Sequence, residues 1–273
     1  MPGEPNTETA FVLRKLGVTA PELCLELPAG SEICLVDHNE LGQSIANRSN
    51  YQIVAVIDHH KVGAFETDGP LMMRLEPLGS TCSVLATMFQ EQGYTPSVVS
   101  AKLMISAIIS DTLYFRSATT TAQDKEIVQW LNTIAQIADL EAYSLEMFDA
   151  KSDISHLQAK EILTMDYKVF DLSGTKVGIG TVETTNPRFS LEKKSDILQA
   201  MEECKHEQHL DFILCCVVDI LQEVNVALVM DAETAQLIQT VFGATTTDNQ
   251  ANLGPLLSRK KEVVPPLAAH FAS

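Results

Sequence analysis

Apolar and polar residues alternate in short blocks through the first half of the chain. Two blocks, residues 32–37 and 52–58, are almost continuously apolar, and each ends in an aspartate. Apolar positions at helical spacing predict helices over 80–91 and over 6–16, where Asn6 is a candidate N-cap. Because continuous apolar strands separated by helices are typical of a parallel sheet, this half is predicted to be an α/β domain.

Two further stretches of the first half predict helices, and one block leaves its structure open. Residues 39–46 predict a short helix, and the stretch 119–124 is a candidate cap for a helix that carries Trp130. The block 101–109 is apolar almost throughout, so its periodicity does not distinguish a helix from a strand. Both alternatives stay open for this block.

The pattern changes near residue 150. The polar stretch 151–157 lies between two helical patterns and is the candidate hinge linker between a first domain, 1–150, and a second, 158–273. The second domain contains strand-like runs joined by turn-forming residues and a charged amphipathic helix. These elements are predicted over 167–170, 176–183, 190–205, 212–220 and 223–230. The second domain is therefore predicted to be a smaller α+β domain.

Composition and charge exclude several function classes. The 273 residues include 36 Asp and Glu against 19 Lys and Arg, a formal net charge of −17, which argues against nucleic-acid binding. No run approaches the roughly 20 apolar residues of a membrane span, and the N-terminus lacks the pattern of a secretory signal. The six cysteines form no C-x-x-C pair and predict reduced thiols. We therefore expect a soluble, cytoplasmic protein without nucleic-acid or membrane partners.

Three motifs that follow apolar blocks of the first half carry carboxylates or imidazoles. They are Asp37-His38-Asn39-Glu40, Asp58-His59-His60-Lys61 and Ser110-Asp111-Thr112. Ligands of parallel α/β sheets bind outside the carboxyl ends of the strands, where the third motif joins the others if its block ends at that edge. A lone aspartate there often caps a helix, but two adjacent imidazoles favour a metal site. Oxygen and nitrogen ligands without a thiolate suit Mn²⁺ or Mg²⁺.

Two other clusters have a simpler interpretation beside the functional one. Arg259, Lys260 and Lys261 form a bare basic triplet, which on its own predicts a solvated turn. Together with a metal site, Arg and Lys side chains favour a phosphorylated substrate. The stretch 204–209 contains one cysteine and two histidines, but without a fourth ligand nearby it predicts the polar end of a helix rather than a metal site.

The motifs together resemble family II inorganic pyrophosphatases, which belong to the DHH phosphoesterase superfamily. The residues that carry the resemblance are Gly3-Glu4-Pro5-Asn6-Thr7-Glu8-Thr9, Asp37-His38-Asn39-Glu40, Asp58-His59-His60, Gly79-Ser80-Thr81, residues 103–112, Ser258-Arg259-Lys260-Lys261 and Pro265-Pro266. The resemblance runs from about residue 3 to the C-terminus. It implies an N-terminal DHH domain, a C-terminal DHHA2 domain, an active site in the cleft between them, and a homodimer formed through the DHH domain.

The resemblance also implies a cofactor, a substrate and a role for each site residue. It implies two or more Mn²⁺ ions, with Co²⁺ or Mg²⁺ as substitutes, and hydrolysis of pyrophosphate to two phosphates by a metal-bridging water. Asp37 would bridge two metals, His59 and Asp111 would be metal ligands, and Asp58 would orient the imidazoles. The residues that would bind the phosphates are His60, Lys168, Arg259 and Lys260.

One departure from the family pattern keeps alternatives open. The family's His-x-Pro-Asp-x-Asp motif, which supplies one His and two Asp ligands about one βα unit ahead of Gly3, does not occur in this sequence. We expect either a start codon upstream, which we favour, or a truncated product whose activity is impaired. The alternatives are a short-chain exopolyphosphatase or other DHH phosphoesterase, or a non-catalytic phosphate-binding protein. The absence of a Gly-Gly-His motif counts against the nucleotide-cleaving relatives.

Overall fold

The apolar blocks of the first half form the parallel sheet that their pattern predicts. Its three strands, all parallel, lie in the order β1 (Glu32–Val36), β2 (Gln52–Asp58) and β3 (Met72–Leu75). The structure is a computed structural model that describes residues 3–63, 65–67 and 69–272. The pattern did not predict β3, because Met72 and Met73 are exposed and the strand has only four residues.

Five helices accompany this sheet among the described residues of the first unit, Met1–Ala150. They are α1 (Thr7–Leu16), α2 (Thr81–Glu91), α3 (Val98–Thr112), α4 (Ala122–Ala135) and α5 (Leu140–Ser152), whose last two residues fall in the second unit. The predicted N-caps are confirmed: the side chain of Asn6 accepts a hydrogen bond from the Thr9 N–H, and Thr121 caps α4. Helix α3 is the most buried, with Ile105, Ile108 and Ile109 fully inaccessible.

For the first half, the structure decides one open alternative and corrects one prediction. The open block 101–109 belongs to α3, so Asp111 lies in the last turn of a helix rather than at the end of a strand. The helix predicted over 39–46 is reduced to a 3₁₀ turn, Leu41–Gln43. The side chain of Leu41 is exposed and Gly42 disfavours helix, so this stretch has no apolar face that would stabilise a longer helix.

The second unit, Lys151–Ser273, is built on a mixed sheet, as predicted for an α+β domain. The strand order is β4-β5-β6-β7-β9-β8, and only the β5–β6 pair is parallel. The strands are β4 (Tyr167–Leu172), β5 (Thr175–Thr184), β6 (Phe212–Asp219), β7 (Val224–Leu228), β8 (Thr246–Thr247) and β9 (Gln250–Asn252). The predicted hairpin is confirmed: β4 and β5 pair antiparallel around Ser173 and Gly174, both with positive φ.

Helices of the second unit pack an apolar core on each side of the sheet. They are α6 (Ala159–Thr164), α7 (Arg188–Glu192), α8 (Lys194–Glu207), α9 (Ala232–Phe242) and α10 (Val264–Phe271). One core contains Leu237 and Leu267, and the other contains Ile197 and Met201. The single helix predicted over 190–205 is instead two, separated at Lys193, whose ammonium donates to the backbone carbonyls of Ser155 and Leu157.

The predicted hinge linker, 151–157, has ordered contacts within the second unit. The Ser152 hydroxyl accepts hydrogen bonds from the backbone N–H groups of Thr185 and Asn186, and Ile154 packs into the core that contains Ile197. The role of this stretch as a hinge stays a prediction. Within the described ranges, no helix is long and apolar enough to cross a membrane.

Candidate metal centre

Parallel pairing of β1 and β2 brings two of the acidic motifs to one edge of the sheet. Asp37 follows β1 directly, and its N–H donates to the carbonyl of Ile57 on β2 at 3.0 Å. Asp58 is the last residue of β2, and His59 and His60 follow it. Asp37 has a φ of 65°, a left-handed conformation that is uncommon outside glycine and is concentrated at functional sites. The predicted convergence of these two motifs is therefore present in the structure.

Asp37, His59 and His60 form a cluster that could hold a metal ion. Each offers one ligand atom, and these atoms lie within 4.8 Å of one another. The Nδ1 of His59 lies 2.9 Å from the carbonyl oxygen of Leu78, which can only accept, so Nδ1 carries the proton. In the neutral ring the Nε2 of His59 then has the lone pair that a metal ion needs, and it lies 3.7 Å from an Asp37 oxygen.

Asp58 lies beneath this cluster and is fully buried. Its Oδ1 accepts hydrogen bonds from the Nδ1 of His60 at 2.8 Å and from the N–H groups of His59 and His60. Its Oδ2 accepts from the Asn39 amide at 2.8 Å. Burial alone would raise the pKa of Asp58, but these hydrogen bonds together outweigh it and lower the pKa. An ionised Asp58 thus fixes the backbone of both histidines and the ring of His60.

Asp111 approaches the site from helix α3. Its Oδ2 accepts a hydrogen bond from the Ser80 hydroxyl at 2.6 Å, and the neighbouring Thr81 hydroxyl donates to Asp37 at 2.7 Å. Burial raises the pKa of Cys82 to about 12, and the negative charges of Asp111 and Asp37 add to this. Both carboxylates therefore lie near the first turn of α2. Among the described residues, Asp111 is not one of those whose ligand atoms fall within the 4.8 Å cluster.

The donor set of this region fits the predicted ion. Imidazole nitrogens and carboxylate oxygens are ligands that suit Mn²⁺, and the cluster found among the described residues contains no cysteine. The side chains of Asp37 and His60 are about half exposed, at 56% and 52%, whereas that of His59 is 13% exposed. An ion and a substrate can therefore reach the cluster from solvent.

The predicted phosphate-binding cations lie in the second unit, two of them on neighbouring segments. Lys168 lies on β4 opposite Ile179 of β5 and is exposed. The Arg259 guanidinium donates to the carbonyl of that same Ile179 at 3.1 Å and to the Asp166 carboxylate at 2.7 Å. Arg259 is thus held beside the strand that carries Lys168. Lys260, the next residue, is exposed at the start of a π-helical turn, Arg259–Val263.

The stretch 204–209 behaves as the polar end of a helix, as predicted. Helix α8 ends at Glu207, and Lys205 forms an ion pair with Asp231 at 2.9 Å. Cys204 is buried next to the hydroxyl of Tyr167. His206 and His209 do not belong to a metal-binding group among the residues that the structure describes.

Several polar residues around the cluster had no assigned role in the sequence analysis. The side-chain NH₂ of Asn39 donates a hydrogen bond to Asp58, and its Oδ1 accepts one from the Gly63 N–H at 2.7 Å. The hydroxyls of Ser80 and Thr81 contact the two predicted carboxylate ligands. The sequence carried one signal for them, a Gly-Ser-Thr triplet before a helix, but that signal equally describes an ordinary N-cap.

Comparisons with known protein families identify the domains of this chain. A model of the DHH family N-terminal domain matches residues 5–115, and a model of the DHHA2 domain matches residues 145–270. The fold and its motifs therefore define a protein of the DHH class with a DHHA2 domain.

Relatives that span nearly the whole chain narrow this class. A probable manganese-dependent inorganic pyrophosphatase of Deinococcus radiodurans is 46% identical, covering 99% of this chain and 87% of its own length. The manganese-dependent inorganic pyrophosphatase of Methanocaldococcus jannaschii is 40% identical, with 97% and 88% covered. The crystal structure of a Methanococcus jannaschii protein assigned to the family II inorganic pyrophosphatases superimposes with a TM-score of 0.61 at 39% identity, covering 99% and 90%. The chain belongs to the family of manganese-dependent, family II inorganic pyrophosphatases.

Proposed function

We propose that this chain hydrolyses inorganic pyrophosphate to two phosphates with Mn²⁺ as its cofactor. The observation that carries the proposal is the cluster of Asp37, His59 and His60, in a chain 46% and 40% identical to relatives named for this activity. The exopolyphosphatase alternative has no comparable support over the length of the chain.

The carboxylate and imidazole groups of the first unit would hold the metal. We propose Asp37, His59 and Asp111 as ligands, and Asp58 as the residue that orients the histidines. When bound there, Mn²⁺ would lower the pKa of the attacking water and neutralise charge on the phosphate groups. The chain's own contribution is to fix the ligands before the ion arrives: the Leu78 carbonyl sets the tautomer of His59, and hydroxyls orient the two carboxylates.

The cationic residues would bind the substrate. We propose His60, Lys168, Arg259 and Lys260 as ligands of the phosphate oxygens. The ring of His60 is oriented through Nδ1 by Asp58, so its Nε2 can donate to a phosphate oxygen when the ring is protonated. The guanidinium of Arg259 is held by Asp166 and keeps further N–H groups for a phosphate, while the ammonium groups act as point charges. These groups stabilise the charge that develops on the leaving phosphate.

Phosphate release by the 273-residue chain tests this proposal. The chain is stripped of metal with EDTA, supplied with Mn²⁺, and given pyrophosphate or tripolyphosphate. We expect Mn²⁺-dependent release that is faster from pyrophosphate. Release from tripolyphosphate alone would favour an exopolyphosphatase. No release from either substrate, by a folded chain, would favour a non-catalytic phosphate-binding protein.

We further propose the domain boundaries and assembly that the resemblance implies. The domains are a DHH domain over 1–150 and a DHHA2 domain over 158–273, joined by a hinge over 151–157. The chain would act as a cytoplasmic homodimer that pairs through the DHH domain and does not bind nucleic acid. Light scattering after size-exclusion chromatography measures the assembly, and a mass of one chain would overturn the dimer. Retention of DNA by the chain at physiological salt would overturn the last point.

A further inference from the structure

One short segment contacts three of the proposed site residues. It comprises residues 78–81, and we name it the site loop. The Leu78 carbonyl accepts from His59 at 2.9 Å, the Ser80 hydroxyl donates to Asp111 at 2.6 Å, and the Thr81 hydroxyl donates to Asp37 at 2.7 Å. The relative positions of the proposed metal ligands therefore depend on where this segment lies.

Asp124 of helix α4 holds the site loop from its far side. Both carboxylate oxygens lie within hydrogen-bond distance of the Gly79 N–H, at 3.1 and 2.9 Å, and Oδ1 also accepts from the Ser83 hydroxyl at 2.5 Å. A Cβ added at Gly79 would lie 2.7 Å from an Asp124 oxygen and 2.7 Å from the Thr112 methyl. Glycine is thus required for this close approach, since any larger residue would push the loop away from Asp124.

The environment of Asp124 is unusual for a carboxylate. It is fully buried, and among the described residues its hydrogen-bond partners are backbone N–H and hydroxyl groups, with no Lys or Arg paired to it. A buried carboxylate without a cation is costly unless several donors satisfy it. Here the donors are Gly79 and Ser83, at the start of α2, and Thr121, at the start of α4.

Helix capping explains only part of these contacts. Asp124 is the third residue of α4 and forms a capping box with Thr121, whose N–H and hydroxyl both donate to Oδ2 at 2.7 Å. A capping box requires nothing from Gly79 or Ser83, which lie more than forty residues earlier in the chain. These two contacts connect α4 to the site loop.

We infer that Asp124 is a positioning residue for the manganese site, acting through the site loop on Asp37, His59 and Asp111. The inference rests on the proposed function, which supplies the ion and the ligand roles. Asp124 touches neither ion nor substrate. It fixes the loop whose hydroxyls and carbonyl orient the ligands, as outer partners of metal ligands do.

The test is the Mn²⁺ dissociation constant of the chain, measured by electron paramagnetic resonance of free Mn²⁺ without pyrophosphate. Asp124→Asn replaces one acceptor oxygen by an NH₂ group that must face an N–H donor. We expect its Kd for Mn²⁺ to rise about tenfold to a hundredfold. The matched control is Thr121→Ala, which breaks the capping box but leaves the Gly79 contact. It should lower the thermal midpoint, while its Kd changes by less than about twofold.

Each outcome decides the inference. An unchanged Kd in Asp124→Asn, or an equal rise of the Kd in Thr121→Ala, would show that Asp124 only caps α4. If Asp124→Asn does not fold, Thr81→Val takes its place, because it removes the hydroxyl that contacts Asp37 and keeps the shape. An unchanged Kd in that variant would also overturn the inference, as would an unsubstituted chain that binds no Mn²⁺. A chain that binds Mn²⁺ but does not hydrolyse pyrophosphate would contradict the proposed function and leave the positioning role intact.

Discussion

The groups proposed for the metal site in the first unit and the phosphate ligands proposed in the second unit differ in how they are held. Asp58, His59 and Asp111 each have a hydrogen-bond partner inside the protein, from side chains or backbone carbonyls and N–H groups. Of the three phosphate ligands proposed in the second unit, all among the described residues, Arg259 alone has such partners, whereas Lys168 and Lys260 are exposed. Metal ligands must be preorganised at short distances, whereas a long ammonium side chain can adjust to a phosphate.

The proposed metal site also explains how an acidic protein can act on an anion. The net charge of −17 does not by itself exclude an anionic substrate, because carboxylates near the proposed metal site attract metal cations. Under the proposed function, bound metal cations and the proposed phosphate ligands His60, Lys168, Arg259 and Lys260 would supply the positive charge that an anionic substrate requires.

The largest effect is expected at Asp37, the proposed shared ligand. Asp37→Asn keeps an oxygen for the Thr81 hydroxyl but loses the charge that binds the ion. We expect Mn²⁺-dependent phosphate release to fall by at least about a thousandfold. Asp171→Asn is the matched control, because Asp171 is exposed near the end of β4 and its amide oxygen can still accept from Gly174. A near-normal rate in Asp37→Asn would refute the metal assignment.

A smaller effect of another kind is expected at Lys260. Lys260→Ala removes one exposed point charge, so kcat/KM for pyrophosphate should fall about a hundredfold while the Kd for Mn²⁺ stays the same. Lys261→Ala changes the neighbouring residue in the same basic triplet and should leave both quantities unchanged. Equal losses in the two variants would mean that the triplet acts only through its general charge.

A change at Asp58 should instead alter the Kd for Mn²⁺, the quantity that Lys260→Ala leaves unchanged. In Asp58→Asn the amide NH₂ must face donors on either side, the N–H groups of His59 and His60 or the Asn39 amide. The Kd for Mn²⁺ is expected to rise about tenfold to a hundredfold because the histidines lose their orientation. Calorimetric titration with Mn²⁺ measures this. An unchanged Kd would indicate that Asp58 supports only the fold.

The smallest effect is expected at Asp231, a carboxylate of the second unit. Burial would raise its pKa, but hydrogen bonds from Thr234 and Lys205 lower it below 3.8. The ionised Asp231 carboxylate therefore stabilises the folded state above the pKa that this residue has in the unfolded chain. This stabilisation is lost as the pH falls through its pKa in the folded state. Asp231→Asn should cost about 0.5 kcal/mol at pH 7 and less at pH 3. Urea unfolding at both pH values measures this difference, and an equal cost at both would contradict it.

Local patterns predicted β1, β2 and the helix caps of the first unit because each depends on residues close in sequence, whereas the short, partly exposed β3 was missed. The block that leads to Asp111 stayed open because its sequence is apolar almost throughout, so it has no polar face to reveal the helical period. The contacts of Asp124 could not be predicted either. Its spacing from Thr121 already satisfies a capping box, while its contact with Gly79 arises only when α4 packs against the first turn of α2.

The most direct test of the central claim is a crystal of the chain grown with Mn²⁺ and measured at the manganese absorption edge. Anomalous difference density reports the position of the ion independently of turnover. The account predicts a peak beside Asp37, His59 and Asp111. A manganese peak elsewhere in the molecule, with none beside Asp37, would contradict it.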